Sequence, residues 1–199
     1  MKKIFLSSNL TDLLNSEDYF FFSDLTFFTN YNFNKKNVNY HIISSEKATA
    51  EIKFKDEILT NKITINIEKD LYNKLNQIHS KNFSHRYWKI IVGHWLYRFI
   101  RAVYFRYKII KNSFNSNFEF DEVFISNFES YTQSTIKSGD LWLASTDPEW
   151  NFNLFSKIIN LSFKNKYHLK LIKTNNNFFY PNIDDNLNNS KEYFKKVIE

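Results

Sequence analysis

The sequence predicts an α/β fold. Three observations carry that expectation. Short apolar runs of strand length recur along the chain, a long proline-free stretch with helical apolar spacing lies between them, and a second helix start stands near residue 148.

The strands come first. "KIFL" at 3–6 is followed by the turn-like "SSN", and "DYFFFSD" at 18–24 is a second apolar run, with "DLLN" between them suited to a helical turn. "NYHII" at 39–43 reads as a third strand after a polar connector. "EVFIS" at 122–126 is a fourth, "LWLAS" at 141–145 another, and "YHLKLI" a last one.

Residues 44–67 support two readings. "KATAEIKFKDEI" suits a helix, whereas "KITINI" alternates as a strand would. From Glu68 the pattern is helical, with Leu71, Leu75 and Ile78 at steps of four and three. Ser84 is placed to cap the next helix, its hydroxyl accepting from a first-turn N–H. That helix runs from His85 to about Lys111. Trp88, Ile91, Trp95, Phe99 and Val103 line one face, and Ile90, Val92, Leu96, Ile100 and Tyr104 make a second stripe. Apolar residues on so much of the circumference predict a helix buried between layers. Gly93, costly inside a helix, points to a close backbone approach or a kink. "TDPEWNFNLFSKIINLSF" starts a helix with Thr146 or Asp147 as cap, Pro148 in the first turn and Glu149 at the positive end. The polar tail 175–199 ends in "KEYFKKVIE", which suits a short helix. The expected division is an α/β domain over 1–174 and that tail.

Composition narrows the function classes. The chain has 199 residues, a net charge of +6 and no cysteine, which removes disulfides, Cys-based zinc sites and a Cys nucleophile. No compact basic block or nucleic-acid-binding motif occurs, so nucleic acid is not an expected partner. "MKKIFLSSNL" is too short in apolar residues for a secretory signal, and no run of about 20 uncharged apolar residues marks a membrane span. With two glycines there is neither a dinucleotide loop nor a P-loop. Cytoplasmic residence is expected, with association at the inner membrane.

Candidate chemistry gathers in "HSKNFSHRYWKIIVGHWL" at 79–96, which holds three of the five histidines. Their spacing does not give the i,i+4 pair of a helical metal site, so no metal is expected. His79 is a candidate general base, since an unperturbed imidazole titrates near neutrality; the alternative is a histidine bonded to backbone at a helix end. Arg86, Arg98 and Arg101 could clamp an anion through forked hydrogen bonds, and Lys108 shares a face with the last two, where a solvated cation is the simpler reading. Trp88 and Trp95 lie on one side of a helix and could stack on a sugar or base, although such a stripe is more often core. The same helix also fits a membrane-surface element. Asp121 and Glu122 alternate to opposite faces and make no carboxylate pair.

One resemblance goes further. "LNQIHSKNFSHRYWKIIVGHWL" is similar to a signature, LNxxH, a spacer and SxRYWxIxxGxWL, of transferases from bacterial surface-polysaccharide (O-antigen) gene clusters. The agreeing residues are Leu75, Asn76, His79, Ser84, Arg86, Tyr87, Trp88, Ile90, Gly93, Trp95 and Leu96. "KIFLSS", "FDEVFIS" and "DPEWNFNLFSKII" also resemble family segments, in order. Residues 24–67 depart: "SDLT" and "YHIIS" stand where the family has a Gly-acid-Trp-Cys-like segment and a Tyr-His-Trp-acid-rich run.

The resemblance implies a glycosyltransferase-like enzyme with two Rossmann-like domains (GT-B-like), and this chain as its N-terminal, acceptor-side domain without the donor-binding half. It implies His79 as base and Arg86, Trp88, Trp95, Arg98, Trp150 and Asn151 as substrate-binding residues. It implies no cofactor in this chain, a nucleotide-sugar donor bound elsewhere, a lipid-linked or oligosaccharide acceptor and a separate donor-binding chain. The competing readings are a non-catalytic acceptor- or partner-binding module and a basic peripheral-membrane protein.

Overall fold

The computed structural model describes residues 2–6, 17–23, 39–43, 48–115, 117–126, 141, 144, 145 and 148–172. Five strands form one parallel sheet: β1 (Lys3–Leu6), β2 (Tyr19–Ser23), β3 (Asn39–Ile43), β4 (Glu122–Ser126) and β5 (Leu169–Ile172). Their spatial order is β3-β2-β1-β4-β5, so the chain reverses direction across the sheet between β1 and β4. This is the order of one half of a doubly wound fold, in which ligands enter outside the carboxyl ends of the strands at the reversal.

The long helices are α1 (Ala50–His79), α2 (His85–Asn115) and α3 (Pro148–Phe163). Phe5 and Phe21 are register partners, as are Phe5 and Val123. This row of side chains packs against Ile110 and Phe114 of α2 and Trp150, Phe155 and Ile159 of α3. Ile4, Leu6 and Phe20, on the opposite face, are also buried. Burial on both faces is what a parallel sheet requires, and it explains why these strands are apolar runs rather than alternating ones. Asp121 and Glu122 sit at the amino edge, where they accept from Lys3 N at 2.7 Å and Lys2 Nζ at 2.8 Å.

The sequence misleads about α1. Residues 50–67 are helix throughout, so the alternation of "KITINI" does not make a strand. Thr49 caps the helix, accepting from Ile52 N at 3.3 Å. The buried residues are Asp56, Thr60, Thr64, Glu68 and Tyr72, each four from the next. A ladder at this spacing lies along one helix face, and it is polar. The Leu71–Leu75–Ile78 stripe is therefore not the packed face, and Ile78 is 75% exposed. Thr60 and Thr64 satisfy their hydroxyls on the carbonyls of Asp56 and Thr60 at 2.9 and 2.8 Å. Asp56 accepts from Tyr104 Oη at 2.8 Å and Lys108 Nζ at 2.6 Å of α2. Amphipathic patterning cannot announce a polar seam whose partners lie some fifty residues away.

Two further expectations change. Leu141, Ala144 and Ser145 are helical rather than extended, with Leu141 and Ala144 three apart and packed on the core. α2 is not buried all round: Trp88 and Leu96 are buried, but Ile90 and Ile91 are 71% and 57% exposed. From about Trp95 onward it packs on the core as well as on α1, whereas its first turns are flanked by α1. Ser84 caps α2 as predicted, accepting from Tyr87 N at 3.2 Å. The "DLLN" turn, the Thr146/Asp147 cap and the terminal helix lie outside the described residues.

Candidate functional site

β4 fixes the level of the site. Ser126, its last residue, is fully buried. Its N–H donates to Ser156 Oγ at 2.8 Å, and its hydroxyl pairs with Asn153 Oδ1 at 2.7 Å. Since α3 runs antiparallel to β4, Trp150 and Asn151 stand about one turn beyond the strand end, at the carboxyl edge of the sheet.

Arg106 of α2 reaches this edge. Its guanidinium donates to Ser145 O at 2.9 Å, Asn151 Oδ1 at 3.1 Å and Ala102 O at 3.4 Å, and lies over the Trp150 ring, 5.8 Å from its centre. Asn151 Nδ2 donates to the same Ser145 carbonyl at 2.9 Å. Burial lowers the pKa of Arg106, yet a guanidinium stays charged. All three acceptors are neutral, and among the described residues its positive charge has no carboxylate counter-ion.

In front of it opens a crevice of about 280 Å³, lined by Arg98, Ala102, Leu141 and Ser145. Arg98, Ala102 and Arg106 are spaced four apart on one face of α2. The middle residue is small, which leaves room between the two guanidinium-bearing positions. An exposed arginine at the mouth and a partly buried one behind the wall, with no carboxylate partner among the described residues, favour an anionic group. Arg106 holds the wall and contributes field, whereas Arg98 is free to touch a ligand.

The signature residues are elsewhere. α1 and α2 form a hairpin whose upper part overshoots the sheet: from Arg106 to His85 α2 extends roughly 30 Å. At its tip Asn76 Oδ1 accepts from Phe83 N at 2.9 Å and Trp88 Nε1 at 2.8 Å, while its Nδ2 donates to Phe83 O at 2.9 Å. Ser80 takes a left-handed conformation, φ 49°, to end α1. His79 stacks on Trp88 at 5.6 Å, and His85 meets Tyr72 edge-on at 4.5 Å. Arg86 is exposed. Trp95 is half-buried and stacks on Phe99 at 5.1 Å.

The structure thus brings Arg98 to the same edge as Trp150 and Asn151, and puts His79, Arg86 and Trp88 together at the tip. Arg86 and Arg98 are about 18 Å apart along the helix. Trp150 is 1% exposed and Asn151 4%, so both support the wall of the crevice rather than its opening. Arg101 folds back onto the Tyr97 hydroxyl and ring.

A second opening of about 400 Å³ lies between α1 and α2, with Glu68, Lys89, Gly93 and His94 among its lining. At Gly93 no backbone of α1 comes close: a Cβ there would stand 3.5 Å from the Tyr72 side-chain Oη, an ordinary contact, and 3.3 Å from Lys89 Cγ of its own helix. Burial, and then Glu68, raise the pKa of Tyr72. Sequence reasoning missed Arg106 and Glu68. The four-residue spacing Arg98–Ala102–Arg106 was the available signal for the first. For Glu68, buried and 3.4 Å from Lys89, there was none.

Among the described residues no group of three His, Asp or Glu could hold a metal ion, and no helix is long and apolar enough to cross a membrane.

The model of the LIC12162 family transferase matches residues 7–199. The chain belongs to the LIC12162 transferase family. The match runs through β2 to β5, both halves of the hairpin and α3, so crevice and tip are both family territory. No curated protein and no solved structure matches the chain significantly.

Proposed function

We propose that this chain is the acceptor-side, Rossmann-like half of a GT-B-like sugar transferase acting in bacterial surface-polysaccharide (O-antigen) biosynthesis. The observation that supports this best is the cationic crevice at the carboxyl edge, beside the β1/β4 reversal of a transferase-family chain. Arg98 contacts an anionic group of the acceptor, such as the phosphate of a lipid-linked saccharide. Arg106, Trp150 and Asn151 position the wall. The nucleotide-sugar donor is held by a separate domain or chain.

Thermal-shift titration of the whole chain tests this. A pyrophosphoryl-saccharide acceptor analogue should raise the melting temperature in the native chain and not in Arg98→Ala, and nucleotide sugars should leave it unchanged. A shift with nucleotide sugars alone would contradict the acceptor-side reading. His79 as base requires the reacting hydroxyl at the hairpin tip. His79→Ala and Arg86→Ala in an intact homologous transferase decide that point: unchanged transfer removes both residues from the site.

A second reading is a non-catalytic acceptor- or partner-binding module. The glycine count of two, which leaves no phosphate loop, favours it. Acceptor binding without transfer in the presence of any donor-binding chain would establish it.

A further inference from the structure

The upper hairpin carries an exposed apolar surface. Phe83, Tyr87, Ile90 and Ile91 are 38%, 41%, 71% and 57% exposed. Phe83 and Tyr87 pack ring to ring at 4.1 Å, and Tyr87, Ile90 and Ile91 fall on one face of α2. Ile91 lies one turn before Trp95, but Trp95, Phe99 and Val103 pack on the core whereas Ile90 and Ile91, nearer the tip, do not and stay exposed. Large apolar side chains contiguous on a projecting element mark an interaction surface.

Its charge indicates what covers it. Between Asp70 and Glu119 the chain has nine Lys or Arg and no acidic residue, although the whole carries only +6. Lys108 and Lys89 are paired with Asp56 and Glu68 of α1. Lys81 and Arg86 are exposed at the tip beside the apolar residues and enter no ion pair among the described residues. An apolar and aromatic face rimmed by cations is the composition that lies in the headgroup region of an anionic bilayer.

We infer that the α1–α2 tip docks on an anionic lipid surface, with Phe83, Tyr87, Ile90 and Ile91 entering the interface and Lys81 and Arg86 meeting the headgroups. The same face of α2 continues through His94 to Arg98. Docking therefore sets the crevice facing along the helix from the membrane, at a distance of about 10–20 Å. The inference goes beyond the transferase reading and does not depend on it.

The test is co-sedimentation of the whole chain with phosphatidylcholine vesicles, with and without phosphatidylglycerol. Binding is expected to the anionic vesicles and to weaken with added salt. Ile90→Ser with Ile91→Ser, and separately Lys81→Glu with Arg86→Glu, should each lower partitioning about tenfold. These side chains are exposed, and unchanged circular dichroism confirms folding. No binding to anionic vesicles, or equal binding after Ile90→Ser with Ile91→Ser, overturns the inference. So does a dimer in sedimentation that the same double variant dissociates, since a second copy would then own the face. Vesicle binding needs neither donor nor acceptor, so its failure and failure of the transferase reading are separate results.

Discussion

Trp88 donates its indole N–H to the side-chain oxygen of Asn76 across the hairpin, at 2.8 Å. The same oxygen accepts from Phe83 N, and the Asn76 amide donates to Phe83 O. One side chain thus ties the end of α1, the connecting turn and the start of α2. Asn76→Ala removes all three bonds and should cost about 1–2 kcal/mol, chiefly because the partly buried Trp88 indole loses its acceptor. Trp88→Phe should cost about 1–2 kcal/mol. A double-mutant cycle in urea unfolding should return a coupling of about 1 kcal/mol; additive losses would show that the indole bond does not matter.

Asp56 is buried and holds Tyr104 and Lys108. Asp56→Ala leaves an ammonium and a hydroxyl without their acceptor and should destabilise by about 3 kcal/mol. Replacing the set by apolar residues, Asp56→Leu with Lys108→Met and Tyr104→Phe, should recover most of that loss. Chemical denaturation of the two variants checks the contrast.

The same contact gives a pH dependence. Burial first, and then the Asp56 carboxylate, push the Tyr104 hydroxyl up to about 12. The proton is held more tightly folded than unfolded, where a tyrosine titrates near 10. The contribution is therefore complete below about pH 10 and is lost as pH rises from there towards 12. Melting temperatures should fall more steeply over that window in the native chain than in Tyr104→Phe. Parallel curves would count against the contact.

Gly93 separates helix propensity from space. Alanine gains about 1 kcal/mol of propensity and meets Lys89 Cγ, which can move. Gly93→Ala should therefore lie within about 1 kcal/mol of the native chain. Gly93→Leu must displace Tyr72 or close the groove, and should cost about 1–3 kcal/mol in thermal or urea unfolding.

Arg106 and Arg98 should behave differently. Arg106→Met removes one of the two donors to the Ser145 carbonyl and the bond to Asn151 Oδ1, and should cost about 1–2 kcal/mol. Arg98→Ala, at an exposed position, should leave stability within about 0.5 kcal/mol. Calorimetric titration with pyrophosphate should show binding weakened about tenfold by Arg98→Ala, at unchanged melting temperature.

Legibility in the sequence followed the range of the interactions. Strands β1 to β5 stand where local apolar runs placed them, within a residue or two; in β1, β2 and β4 burial on both faces makes each short segment apolar by itself, while the edge strands β3 and β5 are partly exposed. The Ser84 cap and the helix opening at Pro148 were equally local. α1 was obscured because its packed face is Asp56, Thr60, Thr64, Glu68 and Tyr72. Those side chains are tolerable in a buried seam only through partners on α2, and no window of the α1 sequence contains them.

By itself, the sequence determined an α/β chain with a long aromatic helix, a hairpin signature and no phosphate loop. Each of these is set by residues near one another. The tertiary structure decided which groups meet. It made Asn76 the lock of the tip and separated His79 and Arg86 from Arg98. It partly buried Arg106 against the neutral Ser145 carbonyl and Asn151 side chain beside the reversal of the sheet, and left Ile90 and Ile91 facing outward. A helix presents every face until something packs against it, and that partner comes from a distant part of the chain.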